Sequence, residues 1–357
     1  MTTTQRQKER ETAVIRAPHD GSEVGVVALG GPEDVRAALD ANVAAARACR
    51  EMPAYARAAA LRKVADGLEA ARAEFAGTLA LEAGKPIAQA KTEIDRAIFV
   101  FRDGAEEATR IDGEVLPADV VPAGTGRIAI TRRFPLSPVA GITPFNFPVL
   151  LAAHKIAPAM ACGATITVKP PPQDPLTTLR LGELVKASGY PAGAVNIVPC
   201  HVEVAQILIE DPRVRVITFT GSAKAGWAIR AKAGTKRVLL ELGGNAAVIV
   251  EPDADLPWAA ARCAVGGFTY AGQSCISTQR IYVHESVYTP FLDAFTRRVQ
   301  QLKVGDVLDE HTDVGPMIGL DAAERVERWI AEAVAGGARI ELGGKRNGVF
   351  LEPTVLT

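Results

Sequence analysis

The segment Val139–Pro148 reads VAGITPFNFP, and the fold prediction starts from its first five residues. The run VAGIT is short, apolar and uncharged, as expected for a buried strand. From this run to Phe219, short apolar runs alternate with longer stretches of helical periodicity. Strands that are joined by crossover helices form parallel sheets. The sequence therefore predicts an α/β fold with a Rossmann-like parallel sheet.

The predicted elements extend over most of the chain. Before the segment, helices are predicted at Pro32–Glu51, Ala54–Ala83 and roughly Ile87–Ile111. After its first strand, Val139–Thr143, we predict a helix through His154 to Cys162, strand Thr165–Lys169, helix Leu176–Ser188, strand Val195–Val198, helix Val202–Glu210 and strand Val216–Phe219. A strand at Ile281–Val283 and helices at Val287–Leu302 and Asp321–Gly336 follow.

The composition is that of a globular protein with no unusual charge. The chain has 357 residues, of which 48% are hydrophobic and 23% charged, and a formal net charge of −1. At roughly 150 residues per domain, this length indicates at least two cores. A near-neutral balance gives no electrostatic basis for binding nucleic acid or an anionic membrane. The apolar stretch Val139–Val168 contains polar residues and three prolines, so it does not predict a membrane span.

The N-terminus and the cysteines bear on location and on metal binding. The first residues, MTTTQRQKERET, are hydrophilic, carry both charge signs and lack the apolar region of a secretory signal. We therefore predict a cytoplasmic location. The five cysteines are widely spaced, with no C-x-x-C pair and no histidine at ligand spacing. This pattern indicates neither a disulfide framework nor a metal site.

A cysteine in a loop of small residues is the candidate nucleophile. The loop Tyr270–Ser277 reads YAGQSCIS and contains Cys275. Its neighbours Gly272 and Ser274 leave room for a substrate and for a backbone N–H directed at developing negative charge. The competing interpretation is a buried, unreactive thiol, because free cysteines are among the most buried residues.

Glu241 and Asn146 are the candidate partners of this thiol. Glu241 follows the apolar run Val238–Leu240 and precedes a Gly-Gly pair, so we predict that it ends a strand entering the interior. Desolvation there would raise the pKa of its carboxyl group toward the range useful to a general base; the alternative is an ordinary turn carboxylate. Asn146 lies between Phe145 and Phe147, where a polar amide is hard to explain by packing.

Together these motifs resemble those of the aldehyde dehydrogenase superfamily, in the same order along nearly the whole chain. The matching positions are Asn146, Lys169, Phe219–Ser222, Glu241–Gly244 and Gly272–Cys275. The resemblance implies that the Cys275 thiolate attacks an aldehyde and that the Asn146 amide and the Cys275 N–H stabilise the oxyanion. It also implies that Glu241 activates the water that hydrolyses the thioester. Members that transfer the acyl group to coenzyme A commonly lack this glutamate, so a free acid is the expected product.

The resemblance further implies NAD or NADP as cofactor. The turn Phe219–Ser222 leaves a strand and opens a helix, where free N–H groups and the Ser222 hydroxyl could hold a pyrophosphate oxygen; Ser222 as a plain N-cap is the alternative. Lys169 would contact the adenosine ribose. Pro172 occupies the position where many NAD-preferring relatives have a carboxylate, so both cofactors stay open. The other cofactor positions implied are Ile142, Thr143, Pro144, Phe145, Phe219, Gly221, Ala225 and Leu242.

The resemblance also implies a domain organisation. We predict a discontinuous NAD(P)-binding domain at 1–117 and 138–240, a β-hairpin oligomerisation arm at 118–137, and a catalytic domain at 241–357. Relatives continue beyond the position of Thr357 with a Glu-x-Phe-Gly-Pro motif and a final strand. We therefore expect a C-terminally truncated chain whose full-length form is a homodimer or homotetramer.

Two other functions stay open at this point. The set Cys275, Asn146 and Glu241 could cleave activated esters without a cofactor, and a truncated subunit could bind nucleotide without doing chemistry. Within the dehydrogenase hypothesis, the loop after Cys275 favours small oxygenated aldehydes such as lactaldehyde, glyceraldehyde phosphate or other short anionic ones. An anionic substrate would need a cation near the site, which Arg96 or Arg102 could supply if they are not simply solvated.

Overall fold

The computed structural model describes residues 10–357, and the following applies to that part of the chain. Its α-helices are α1 Pro32–Glu51, α2 Ala54–Ala70, α3 Arg72–Ala83, α4 Ile87–Glu107, α5 Pro148–Cys162, α6 Leu176–Ala187, α7 Val202–Glu210, α8 Ala223–Lys232, α9 Leu256–Phe268, α10 Tyr288–Gln300 and α11 Leu320–Ala335. Its strands are β1 Thr12–Arg16, β2 Glu23–Ala28, β3 Val115–Pro117, β4 Ile128–Ile130, β5 Val139–Ile142, β6 Ile166–Lys169, β7 Val195–Ile197, β8 Val216–Thr220, β9 Arg237–Glu241, β10 Ala246–Val250, β11 Thr278–Val283, β12 Ile340–Leu342, β13 Arg346–Asn347, β14 Phe350–Leu351 and β15 Val355–Leu356.

The central sheet has five parallel strands in the order β7-β6-β5-β8-β9. The chain runs outward from β5 to β7 on one side and then returns to form β8 and β9 on the other. This reversal creates a crevice at the carboxyl ends of the strands, which is where open α/β sheets bind ligands. The predicted α/β class and parallel sheet are confirmed.

The register of the sheet aligns the predicted positions along one edge. Ile142 at the end of β5 lies opposite Lys169 on one side and Phe219 on the other. At the next pair of strands, Thr220 lies opposite Glu241. Because the strands are parallel, residues that are far apart in sequence meet at the same carboxyl edge.

Helices cover both faces of this sheet. On one face, α2 to α6 bury a core that includes Leu61, Ile94, Phe101, Ile156 and Ile166. On the other face, α1, α7 and α8 pack against the sheet around a second core. This core includes Leu39, Leu208, Ile217 and Phe219. The sheet is therefore buried on both sides over most of its width, as a parallel sheet requires.

A separate core follows the central sheet in sequence. Strands β10 and β11 pair in parallel and are joined by α9, while α10 packs alongside. This core contains Val250, Cys263 and the stacked rings of Phe291 and Phe295, whose centroids are 5.8 Å apart. The change of core just after Glu241 agrees with the predicted domain boundary, which stays a prediction.

Two local predictions are corrected by the structure. The stretch 54–83 was expected to form one helix, but it divides at Ala71, where φ is −100° and ψ is 13°. No glycine or proline lies at this break, so the sequence carries no punctuation there. The hairpin formed by β3 and β4 starts at Val115, before the predicted arm range 118–137, and both of its strands are exposed.

Within residues 10–357, no helix combines the length and apolar character needed to cross a bilayer.

Buried acidic groups occur between α3, α4 and α6. The Glu82 carboxylate accepts hydrogen bonds from the backbone N–H groups of Leu176 and Thr177, at 2.8 and 2.9 Å. Asp174 is fully buried, and neither carboxylate oxygen has a partner within the described residues. Burial raises the pKa of Glu82 to about 7 and that of Asp174 well above its ordinary value. Both groups therefore favour the protonated form in the folded protein.

We expect Glu82→Gln to reduce the pH dependence of stability. Because burial raises the pKa of Glu82 from 4.5 to about 7, folding binds a proton between these values. The stabilisation by this group is complete below the lower value and is lost as the pH rises to the higher one, at no more than about 1.4 kcal/mol per pH unit. Urea unfolding at several pH values measures this loss, with the exposed Glu69→Gln as control. Parallel curves for wild type and Glu82→Gln would contradict the assignment.

Candidate active site

A cavity of about 760 Å³ lies between the carboxyl edge of the central sheet and the separate core that contains Cys263 and Phe295. Seven predicted positions line it: Pro144, Phe145, Asn146, Gly221, Ser222, Leu242 and Cys275. The remaining lining includes Val326 and Trp329 of α11 and residues Leu351–Leu356 near the C-terminal end. The structure therefore brings the predicted nucleophile, the predicted oxyanion amide and the predicted phosphate-binding turn to one space.

Cys275 lies in a turn between a short 3₁₀ helix, Thr269–Gly272, and β11. Of the five cysteines, all within the described residues, it is the exposed one, whereas Cys49, Cys200 and Cys263 are buried. A β-carbon placed on Gly244 would lie 2.6 Å from the Cys275 carbonyl oxygen, so only glycine allows this close approach. The second glycine of the Gly-Gly pair thus lets the segment after Glu241 pack against the cysteine loop.

The side chain of Asn146 is fixed against the cysteine loop. Its Nδ2 group donates a hydrogen bond to the Gln273 carbonyl oxygen at 2.9 Å. Its own backbone carbonyl accepts one from the ammonium of Lys85 at 2.6 Å. An amide nitrogen has two hydrogens, so the second remains available to a ligand oxygen in the cavity.

Glu241 ends β9 as predicted, but its predicted burial is wrong. The residue is exposed, because β9 is the edge strand of the sheet and alternate residues such as Leu239, which is 61% exposed, face outward. The desolvation on which the base hypothesis drew is therefore missing. The backbone carbonyl of Glu241 accepts a hydrogen bond from Gly221 at 3.0 Å, so the strand end contacts the predicted phosphate-binding turn.

The predicted phosphate-binding turn opens α8. The Ser222 hydroxyl caps this helix by accepting a hydrogen bond from the Ala225 N–H at 3.3 Å, so the N-cap interpretation applies. The preceding first-turn amides have no acceptor inside the helix. A β-carbon on Gly226 would lie 2.5 Å from Leu242, which shows how closely that side chain covers the first turn. Ala225 is exposed and does not line the cavity.

Lys169 ends β6 with its side chain almost fully enclosed. The residue is 5% exposed, and no hydrogen bond or ion pair of its ammonium occurs within residues 10–357. Burial lowers its pKa, and the neighbouring Cys200 partly offsets this effect. A ligand oxygen at this sheet edge would give the Lys169 ammonium an acceptor for its N–H groups. Ile142, Thr143 and Phe219 share this sheet edge with Lys169 but lie outside the cavity lining.

The two arginines considered for an anionic substrate lie outside the cavity. Arg102 forms an ion pair with Glu69 at 2.6 Å on the outer surface. It is therefore a solvent-exposed arginine, which is the alternative considered for it. Arg96 is exposed on α4, and its charge contributes to lowering the pKa of His154 on α5, after the larger effect of burial. Neither arginine contacts the cavity directly.

No local pattern singles out Gln273, although its side chain connects the cysteine loop to the rest of the site. Its Oε1 accepts a hydrogen bond from the Ile318 N–H at 3.0 Å, and its Nε2 donates to the Tyr270 carbonyl at 3.2 Å. The two partners, Ile318 and Tyr270, lie 45 and 3 positions from Gln273 in the sequence. A glutamine in a loop of small residues carries no local pattern that predicts such partners.

Comparison with known proteins agrees with this fold. The family model described as the aldehyde dehydrogenase family matches residues 4–357. The 3-sulfolactaldehyde dehydrogenase of Priestia aryabhattai is 46% identical over 304 residues, which are 85% of this chain and 64% of that protein. Aldehyde dehydrogenase 21 from Physcomitrella patens, solved with the reaction product succinate, superposes with a TM-score of 0.95 at 41% identity, covering 98% of this chain and 73% of that one.

A third relative was solved with a cofactor. Glyceraldehyde-3-phosphate dehydrogenase GapN from Methanocaldococcus jannaschii, complexed with NADP, superposes with a TM-score of 0.92 at 37% identity. The match covers 98% of this chain and 76% of that one. An open, five-stranded parallel sheet with a cavity that contains an exposed cysteine at its carboxyl edge defines the class of α/β proteins that bind ligands at this edge. The chain belongs to the aldehyde dehydrogenase family. It spans 64% of the length of the 3-sulfolactaldehyde dehydrogenase that it matches.

Proposed function

We propose that this protein oxidises aldehydes to carboxylic acids with NAD⁺ or NADP⁺, through a covalent intermediate on Cys275. The observation that carries the proposal is a single cavity lined by the exposed Cys275, by Asn146 and by the turn Gly221–Ser222. A thiol alone could serve many reactions. A thiol that shares its cavity with an amide donor and a helix N-terminus suits oxidation of a carbonyl compound by a nucleotide cofactor.

The residues present fit such a cofactor. The ammonium of Lys169, a residue that is 5% exposed, has no protein partner within the described residues and would bind the hydroxyl groups of the adenosine ribose. The first-turn amides of α8 would hold the pyrophosphate, aided by the positive end of the helix dipole. The chemistry that NAD(P)⁺ supplies when bound is acceptance of a hydride. Ile142, Thr143, Pro144, Phe145, Phe219, Ala225 and Leu242 are proposed to flank it.

The protein residues then act in a balanced sequence. The Cys275 thiolate forms an S–C bond to the aldehyde carbon, and the carbonyl oxygen becomes an oxyanion. The second Nδ2 hydrogen of Asn146 and the Cys275 N–H stabilise that charge. Loss of hydride from the same carbon leaves a thioester on Cys275. Glu241 takes a proton from water, the hydroxide adds to the thioester, and the acid leaves as the thiolate is restored.

The exposure of Glu241 defines how it would act. Glu241 is exposed and directly precedes Leu242 and Gly243, which line the cavity. A solvent-facing carboxylate can pass the proton that it takes from the attacking water to the bulk solvent. We therefore propose that Glu241 serves the hydrolysis step rather than the hydride-transfer step.

We propose short aldehydes with an anionic group as the substrate class. Two of the relatives described above are named for a sulfonated and a phosphorylated aldehyde, and the third was solved with its reaction product succinate. Each of these compounds is anionic. We further propose that the exposed apolar strands of the β3–β4 hairpin, with Val115 and Ile128 outermost, contact a second copy of the chain in a homodimer or homotetramer. We also propose an NAD(P)-binding domain at 1–117 and 138–240, an oligomerisation arm at 118–137 and a catalytic domain at 241–357.

The test is aldehyde-dependent formation of NADH or NADPH by the purified chain. The panel comprises lactaldehyde, succinic semialdehyde, a sulfonated three-carbon aldehyde and an uncharged aldehyde of equal length, each with either cofactor. We expect a higher kcat/KM for the anionic compounds. No NAD(P)H formation with any compound would contradict the proposal. Ester cleavage without cofactor in such a protein would instead support the thiol esterase alternative, and cofactor binding alone would support the nucleotide-binding one.

Replacement of the oxyanion amide should slow the reaction without removing the thiol. Asn146→Ala is expected to lower kcat by about 10²- to 10³-fold, because one preorganised donor to the oxyanion is lost. Asn196→Ala, which removes an amide from β7 away from the cavity, is the control. Steady-state rates measure the loss of kcat, and alkylation by iodoacetamide shows whether the Cys275 thiol is retained. Equal kcat values for Asn146→Ala and wild type would exclude the oxyanion role.

A further inference from the structure

A buried ion pair lies next to the catalytic segments and takes no part in the chemistry proposed above. Lys85 belongs to the loop between α3 and α4, and Glu93 to the second turn of α4. Both side chains are 0% exposed, and the ammonium contacts Oε2 of the carboxylate. Glu93 falls on the stripe of α4 that is otherwise apolar, together with Ala90, Ile94 and Ala97.

The ammonium of Lys85 touches both segments that form the oxyanion site. Besides Glu93, it donates a hydrogen bond to the Asn146 carbonyl oxygen at 2.6 Å. It also lies 4.0 Å from the ring centroid of Phe147 and 4.6 Å from that of Tyr270. A lysine has three N–H donors and no acceptor, and here a carboxylate, a carbonyl and two aromatic faces surround them. Phe147 follows Asn146, and Tyr270 opens the cysteine loop.

The second oxygen of Glu93 fixes the helix that follows Asn146. Its Oε1 accepts hydrogen bonds from the backbone N–H groups of Val149 and Leu150, at 3.0 and 3.1 Å. These amides belong to the first turn of α5 and have no acceptor inside the helix. A carboxylate at this end also interacts favourably with the helix dipole. One carboxylate therefore orients both Lys85 and the start of α5.

The cysteine loop is held to the same anchor in an unfavourable conformation. Tyr270 and Ala271 have φ values of 51° and 52°, in the left-handed region that non-glycine residues rarely adopt. The Tyr270 N–H donates to the Gln89 side chain at 2.9 Å, and its hydroxyl donates to the Ala83 carbonyl at 2.5 Å. Both acceptors flank Lys85 in sequence. Such strain persists only where the surroundings determine the conformation.

Stability alone does not explain this pair. Desolvation of two charges costs so much that a buried ion pair often stabilises a fold no better than apolar residues of similar volume. The contacts of Lys85 and Glu93 are nevertheless directed at the two segments that carry Asn146 and Cys275. A role in geometry accounts for this direction.

We propose that Lys85 and Glu93 are positioning residues that hold Asn146 and the Cys275 loop at a fixed separation. The catalytic consequence rests on the proposed aldehyde oxidation, whereas the structural consequence does not. If the pair is removed, both segments lose a shared anchor. A displacement of a reacting group by about 1 Å can cost about 100-fold in rate.

The experiment compares wild type with Lys85→Met, Glu93→Gln and the double variant Lys85→Met/Glu93→Gln. The double variant leaves no unpaired buried charge, and its glutamine keeps an acceptor for the first turn of α5. The control is Asp95→Asn. Asp95 lies on α4, as Glu93 does, and this substitution removes its exposed ion pair with Arg72 of α3. The measurements are the thermal midpoint, kcat and KM for one aldehyde, and amide hydrogen exchange of residues 146–150 and 270–277.

We expect the double variant to regain most of the thermal midpoint lost in Lys85→Met but not the rate. Its kcat should stay about 100-fold below that of wild type, with KM little changed and faster hydrogen exchange in both segments. Recovery of kcat together with stability would overturn the proposal. Unchanged hydrogen exchange in both segments would also overturn it, even in a protein that shows no aldehyde oxidation. In that protein, faster exchange in both segments would support positioning while the proposed function fails.

Discussion

Replacement of Cys275 by serine is expected to abolish aldehyde-dependent NAD(P)H formation, with a loss of about 10³-fold or more in kcat. A serine hydroxyl has nearly the same size, so the cavity keeps its shape. The pKa of a serine hydroxyl is far above that of a thiol, and within residues 10–357 no base contacts the side chain of residue 275 to activate it. Steady-state rates measure the loss, and cofactor binding followed by fluorescence should be retained.

The control for this substitution is Cys162→Ser. Cys162 ends α5, is half-buried and donates to the Ala159 carbonyl at 3.4 Å, away from the cavity lining. We expect its rate to match that of wild type. Activity that survives Cys275→Ser, or that is lost equally in both variants, would remove Cys275 from the mechanism.

The second large effect is expected for Glu241→Gln. Loss of the proposed base should lower steady-state turnover by about 10²- to 10⁴-fold. The first turnover should remain fast, because attack by Cys275 and hydride loss precede the step that needs Glu241. Rapid mixing with excess aldehyde and NAD(P)⁺ should therefore show a burst of NAD(P)H, followed by a slow phase.

A matched control for Glu241 is available on the neighbouring sheet. Like Glu241 at the end of β9, Glu251 lies at the end of a strand, directly after β10, and is exposed. Glu251→Gln should keep both the burst and the steady state. Loss of the burst in Glu241→Gln would mean that the glutamate acts before the thioester forms. An unchanged steady state would assign the hydrolytic base elsewhere.

The sequence predicts the elements that follow from local patterns. The bounds of α1, Pro32–Glu51, and of α7, Val202–Glu210, agree with the prediction to the residue. Both helices combine a clear apolar periodicity with well-defined ends. The parallel sheet also follows from sequence, because alternating strands and helices have few other solutions.

Burial of single residues depends on the final position of each strand, which local patterns do not contain. The apolar run before Glu241 is compatible with a central strand, but β9 has a neighbour on one side only. Its last residue is therefore exposed, and the predicted desolvation fails. In contrast, the loop around Cys275 was expected to leave room for a substrate, and the structure places it at a cavity.

The ion pair of Lys85 and Glu93 shows a signal that the sequence did contain. Lys85 lies in a Gly-Lys-Pro tripeptide, a pattern that by itself indicates only the end of a helix. A glutamate on the apolar stripe of α4 is unusual, because glutamates are almost never fully buried unless they are paired. That position predicts a buried partner, although its identity requires the fold. The assignment of residue roles and a cytoplasmic location stay predictions.

Mass spectrometry of the acylated protein tests the central claim most directly. Glu241→Gln is mixed with NAD(P)⁺ and succinic semialdehyde, quenched in acid and digested. The account predicts one acyl group per chain, on the peptide that contains Cys275, in an amount equal to the NAD(P)H formed in the burst. NAD(P)H formation without an adduct on Cys275, or an adduct on another cysteine, would contradict it.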